Sequence, residues 1–298
     1  MNKSLLNISI IIIGCNSKNY LERLLFSLNK MQGKKHILEI IYIDDGSTDG
    51  SLDLFKLYNI NIDKRFFRFT NNMGRIFARK KGAKMALGDW FLFLNSNVVV
   101  KNNIINQYKT SMSLQSGKAY AGHIVYESKD IQFSKYLNHV HRGINSCNDG
   151  EGAPYEYLLF SNCLILGKLF EKINFNLNLK YYGGEELDFA HKLNSQYPNQ
   201  IIAAKRASVT RKNVPVLENY LLKLNEFGGG NFLLLSPILQ KKIVRFNVFL
   251  HLERTPLFII VFLNWCCLLL IKIPAIRKNF YFIRGVFLLN IIKGAYTK

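Results

Sequence analysis

The first hundred residues alternate short apolar runs with segments of helical spacing. Residues 8–13 are a β-branched run closed by Gly14, which predicts a buried parallel strand, and residues 20–31 after it repeat leucines at helical intervals. The pattern recurs as a strand over 38–43 and a helix over 51–58. It recurs again as a strand over 66–70, a helix over 75–86 and a strand over 90–94. Alternation of this kind predicts an α/β fold with a mostly parallel, Rossmann-like sheet and a ligand site beyond the carboxyl ends of its strands. Residues 101–180 are less regular and read as a helix, a long excursion and a strand around 157–166. A helix is predicted to open near Gly184, with Glu185, Glu186 and Asp188 in its first turn, where a helix favours acids. Residues 201–209 form the last expected strand.

From residue 219 the character changes. A helix to Phe227 is followed by Gly228-Gly229-Gly230, read as a hinge, and then by two apolar stretches, 257–271 and 280–292. Both fall short of the roughly 20 residues that a perpendicular membrane span needs. Over residues 228–298 there are ten Lys or Arg, at 241, 242, 245, 254, 272, 277, 278, 284, 293 and 298, and one acid, Glu253. A basic, apolar tail suits helices lying in a membrane interface against phosphate headgroups. Buried core helices or a dimer interface are the alternatives, so a homodimer is compatible with the pattern. The expected division is 1–218 as the main domain, in parts 1–100 and 101–218, and 219–298 as the tail.

The whole chain has 298 residues, with 40 Lys+Arg against 20 Asp+Glu, a formal charge of +20 that favours phosphate-bearing partners. No nucleic-acid docking motif accompanies the charge, so nucleic acid is not an expected partner. The five cysteines form no CxxC pair and the apolar run at 8–13 is too short for a signal-peptide core, which points to the cytoplasmic face of a membrane, with peripheral or monotopic attachment. His139-Val140-His141 has the look of a metal pair but lacks a third ligand at recognisable spacing.

Candidate chemistry lies in four elements whose order matters more than any one of them. They are Gly14-Cys15-Asn16-Ser17 after the first strand, Asp44-Asp45-Gly46-Ser47 after the second, the run from Asn72-Met73-Gly74 through Ala78-Arg79 to Asn95-Ser96-Asn97, and Gly183-Gly184-Glu185-Glu186-Leu187-Asp188. At these residues the chain, over about 7–212, resembles the family 2 glycosyltransferases of the A-type fold. The resemblance implies an inverting transferase that takes a sugar from a nucleotide-sugar, a UDP-sugar by preference. Asp44 and Asp45 match the positions that contact the base and ribose, with Gly14, Cys15 and Asn16 beside them. Arg79 matches a residue near the base.

Asn95-Ser96-Asn97 stands where the family carries its Asp-x-Asp metal motif. A divalent cation, Mn2+ or Mg2+, normally bridges the donor diphosphate there, and two lost carboxylates weaken such a site, leaving Asn97 as its nearest counterpart to a metal ligand. Arg211-Lys212 follows the last strand near the expected diphosphate and offers fixed positive charge in compensation. Glu186 matches the general base that deprotonates the acceptor hydroxyl, with Glu185 and Asp188 orienting the acceptor. Ser161 and Asn162 occupy a strand next to the acceptor position. The basic tail suggests a lipid-linked saccharide acceptor at an anionic membrane surface. A silent nucleotide-sugar-binding or scaffolding module is the alternative that the two asparagines motivate.

Overall fold

The computed structural model describes residues 5–244 and 256–297. Arg245, Glu253, Arg254 and Lys298, counted in the tail's charge, lie outside the described residues. The chain divides into two compact units. One comprises Met1–Glu127, Val140–Phe175 and Phe189–Asn213; the other comprises Ser128–His139, Asn176–Asp188 and Val214–Lys298. The second unit therefore draws on two segments from within the range 1–218 as well as on the tail.

The first unit is built on an eight-stranded sheet of order β3-β2-β1-β4-β7-β6-β8-β5. Its parallel part consists of β1 (Ile8–Gly14), β2 (Ile37–Asp44), β3 (Asp63–Arg68) and β4 (Trp90–Asn95). Isoleucines make β1 central because both its faces are covered. Ile8, Ile10 and Ile12 join the core with Leu21, Leu24, Leu25 and Leu28 of the helix α1 (Lys18–Lys30), spaced as one helical stripe. On the other face Ile11 meets the helix α3 (Arg75–Met85) so closely that a Cβ on Gly82 would lie 2.4 Å from its Cγ2. At the sheet edge β3 is half exposed along its length, as its charged sequence requires.

The remaining strands are antiparallel additions: β7 (Asn162–Leu166) pairs with β4 and with β6 (Ala119–Ser128), and β5 (Val98–Val100) pairs with β8 (Ile201–Val214). The sequence reading placed a strand near β7 and began β8 correctly, but it passed over β6. That strand carries Gly122 and His123 and shows no clean period of two. Phe93, Phe160, Phe170, Phe175 and Phe189 pack ring to ring as a second apolar cluster under β4 and β7.

In the second unit the expected hinge at Gly228-Gly229-Gly230 is corrected to continuous helix. The helix α7 (Leu217–Phe227) runs into a π-helical turn, Gly228–Phe232, whose glycines serve close packing instead of bending. A Cβ on Gly228 would lie 1.9 Å from the carbonyl oxygen of Ile291, and one on Gly294 would lie 2.0 Å from that of Asn225. The last helix, Phe280–Tyr296, is thus locked to α7 and is buried over most of its length, with Phe287 among the rings of Phe133, Tyr136 and Tyr220. The helix Leu257–Leu270 is different, since Phe258, Phe262 and Trp265 are exposed. Among the described residues no helix is long and apolar enough to cross a membrane.

Candidate nucleotide-sugar site

The ends of β1, β2 and β4 meet in the first unit, and their loops are tied together by backbone and side-chain bonds. Asp45 N–H donates to the carbonyl of Gly14 at 2.9 Å, and Ser96 N–H donates to that of Ile13 at 2.9 Å. Asn16, at φ 47°, accepts from Thr48 N–H through its Oδ1 at 2.8 Å, while its own N–H donates to Ser47 Oγ at 2.9 Å. Gly46, at φ 77°, has the backbone of Asn71 and Asn72 against it, where a Cβ would come within 2.6 Å; the turn admits only glycine. Gly14, Cys15, Asn16, Asp44, Asp45 and Ser96 are therefore brought to one place.

Within that place the carboxylates are inward. Asp45 accepts from the N–H groups of Met73 at 2.7 Å and Gly74 at 2.9 Å, so it fixes the loop that enters α3. Its burial pushes its pKa up, and those two N–H groups offset part of the effect. Asp44 has no exposed surface; its Oδ1 accepts from Ser47 N–H at 3.3 Å and its Oδ2 lies 3.4 Å from Arg68 Nε. Arg68 also donates to the Ser47 carbonyl at 2.6 Å and stays exposed. Burial raises the pKa of the Cys15 thiol, and the nearby Asp45 and Asp44 charges add to that rise, while Asn72 donates to its sulfur at 3.3 Å.

Asp44, Arg79 and Asn162, three of the residues the sequence offers as ligand contacts, have no exposed surface. Arg79 lies with its guanidinium carbon 4.8 Å from the centre of the Phe160 ring, enclosed beneath the site. Asn162 is a strut of the sheet: its NH2 donates to the carbonyls of His123 at 2.9 Å and Ala207 at 2.8 Å, and its Oδ1 accepts from Tyr108 Oη–H at 2.7 Å. Ser161 is buried too, accepting from Asn95 Nδ2 at 2.7 Å. The accessible rim is made instead by Cys15, Asn16, Arg68 and Asn72 with Asn97 and Arg211. Arg68 and Asn72 were not read as site residues; the Asn72-Met73-Gly74 motif signalled the second, and an arginine ending an edge strand beside an Asp pair was the available hint for the first.

The turn after β4 offers a divalent ion little. Asn95-Ser96-Asn97 supplies amide and hydroxyl oxygens without a carboxylate, and the Oδ1 atoms of Asn95 and Asn97 are enclosed without a hydrogen-bond donor. Among the described residues no three His, Cys, Asp or Glu side chains gather to hold a metal. Hard cations prefer charged oxygen ligands, so these residues do not fit the family's usual metal. Arg211 lies opposite Val98 in the β5–β8 pair, and Lys212 N–H donates to the Asn97 carbonyl at 3.0 Å, which brings both cations to this turn. The Lys212 ammonium is taken by Glu127.

The Glu185-Glu186 motif is described within the second unit. It opens the helix α6 (Glu185–Gln196), with Glu185 and Asp188 buried and Glu186 half-buried. Gly183 and Gly184, at φ 83° and 85°, turn the chain against Phe227 and Leu235. Asn231, fully buried in the π turn, clamps this entry: its Oδ1 accepts from Tyr181 N–H at 3.0 Å, and its Nδ2 donates to the carbonyls of Tyr181 and Gly183, each at 2.6 Å. Sequence reasoning missed Asn231, which sits 45 positions beyond Glu186. His139, half of the suspected metal pair, stacks on Phe280 at 4.4 Å.

Comparison with known proteins accords with this geometry. The profile Glycosyl transferase family 2 matches residues 9–146. The poly(ribitol-phosphate) beta-N-acetylglucosaminyltransferase TarS of Staphylococcus aureus is 31% identical over 161 residues, 54% of this chain and 26% of that protein. An uncharacterized glycosyltransferase of Mycoplasma pneumoniae, the MG060 homolog, is 30% identical over 105 residues, 34% of this chain and 35% of its own. The chain thus spans about a third or less of the length of these curated relatives. In fold it is similar to the crystal structure of S. aureus TarS 1-349 in complex with UDP, with a TM-score of 0.61 and 16% identity, covering 98% of this chain and 91% of that one. Residues 9–146 match the model Glycosyl transferase family 2, and over that stretch the chain carries a family 2 glycosyltransferase domain.

Proposed function

We propose that the protein is a hexosyltransferase that moves a sugar from a UDP-sugar to a hydroxyl of a surface-polysaccharide acceptor. The observation that carries this reading is the knitted cluster at the ends of β1, β2 and β4, where Asp45 sets the loop before α3 and Arg68, Asn72 and Arg211 stand at an open rim. The UDP complex of the similar TarS structure supports uracil as the base. The reaction is a single inverting displacement: the acceptor oxygen forms a bond to the anomeric carbon, the bond from that carbon to the diphosphate oxygen breaks, and UDP leaves with the electron pair. The acceptor proton passes to a carboxylate, for which Glu186 is proposed on its place in the Glu185-Glu186 motif.

The test is a panel of nucleotide-sugars scored by the rise in melting temperature, followed by UDP release in the presence of polyol-phosphate and lipid-linked saccharide acceptors. A UDP-sugar is expected to raise the melting temperature and to be turned over only with acceptor. If no nucleotide-sugar shifts it at millimolar concentration, the transferase reading is lost. Asn95 and Asn97 favour one alternative, a module that binds the nucleotide-sugar and transfers nothing, and binding without UDP release would select it.

The acceptor and the place of action rest on the second unit. The helix Leu257–Leu270 would be about 21 Å long at 1.5 Å per residue, short of a hydrocarbon core of about 30 Å. Phe258 is 71% exposed and Phe262 58%, and the exposed Lys272 and Lys278 follow in a stretch, 256–298, without Asp or Glu. Such a helix suits the interface of an anionic membrane at its cytoplasmic face, near a lipid-linked saccharide. The full chain is expected to sediment with vesicles containing phosphatidylglycerol and to do so less in high salt. Equal recovery in the supernatant with and without those vesicles would remove the membrane role.

A further inference from the structure

We propose that the donor diphosphate is held directly by N–H groups of Arg211 and Asn97, with no bridging divalent ion. The inference rests on the reading of the site as a nucleotide-sugar site, and it names the cation of that site.

A diphosphate leaving group needs positive charge or N–H donors where its negative charge develops. A family metal would need hard, charged oxygens to hold it, and the turn after β4 has none. Neither amide atom of Asn97 has a hydrogen-bond partner among the described residues, so a half-turn about its last side-chain bond sets which end meets a ligand, and a diphosphate selects the NH2. An NH2 group repels a cation and suits a phosphate oxygen.

Arg211 supplies the charge. It is half-buried, with its Nε enclosed and unbonded, and among the described residues no carboxylate pairs with it. A partly buried guanidinium lacking an acceptor is costly unless a ligand provides one. Its neighbour Lys212 cannot take the role as it stands, because Glu127 neutralises it. The two cations that the sequence offered together are thus separated by the fold: one holds β6 to β8, and the other is available. Register fixes Arg211 at the turn, since it pairs with Val98, the residue after Asn97. The guanidinium fork matches two phosphate oxygens at once, which a lysine would not.

Calorimetric titration of UDP and of uridine into the whole protein, in EDTA and then in manganese, tests the proposal. UDP is expected to bind with the same affinity, within about twofold, in both solutions. In Arg211→Ala the advantage of UDP over uridine is expected to shrink by about 10- to 100-fold, the loss of a charge-assisted pair, with uridine affinity unchanged. Asn97→Asp is expected to weaken UDP binding in EDTA, because a carboxylate replaces the amide NH2. Manganese raising the UDP affinity by more than tenfold, or Arg211→Ala retaining the full advantage of UDP, would overturn the inference while leaving the transferase reading in place. Binding of neither UDP nor uridine to the wild-type protein would remove both.

Discussion

Asn162→Ala is expected to cost about 3–5 kcal/mol of stability, among the largest effects available to a single side chain here. The amide is enclosed between β7, β6, β8 and the helix α4 (Ile104–Leu114), and it satisfies the His123 and Ala207 carbonyls and the Tyr108 hydroxyl together. Alanine strands all three polar groups away from water. The room is also fitted to the amide, since a Cβ on Gly122 would lie 2.3 Å from Asn162 Nδ2. A urea titration of the two proteins gives the measurement. A midpoint shift worth less than about 1 kcal/mol, together with a raised KM for acceptor, would restore the sugar-contact role that the sequence suggested.

Glu186→Gln is expected to lower kcat by about 10²- to 10⁴-fold with the KM for donor unchanged, the signature of a lost general base. Glutamine keeps the shape and the hydrogen-bonding reach of glutamate but takes up no proton. The neighbouring Glu185 is buried where Glu186 is half-buried. The paired variant Glu185→Gln therefore serves as the control, with its effect expected in stability more than in turnover. Single-turnover rates with saturating donor check the pair. Unchanged chemistry in Glu186→Gln would move the base to another carboxylate.

The parallel half of the sheet was legible because burial on both faces leaves an unbroken apolar run, as in residues 8–13, and because α1 repeats leucine at helical spacing. β6 was not, since its first four residues are buried alike and its later ones are mostly part-exposed, so no single period runs through it, and Gly122 and His123 break the apolar run. The site was legible as a set of loops and less so as a set of contacts. Asp44-Asp45 announced a strand end correctly, yet which carboxylates face solvent depends on Arg68 and on the N–H groups of Met73 and Gly74, more than twenty positions away. Asn162 and Lys212 show the same limit. Their partners lie 39 to 85 positions distant, and no local pattern encodes a bond over that separation.

The contact of Gly228 with Ile291 also has a bearing on synthesis. Chains emerge from the ribosome amino end first, and the turn that carries Asn231 finds its neighbour only when the last helix is out. Until about residue 294 has been made, the clamp on the loop before Glu185 lacks its backing. A transcript ending early would yield a protein whose first unit has every strand it needs and whose acidic motif is still unset, so truncation is expected to silence turnover while sparing recognition of the nucleotide.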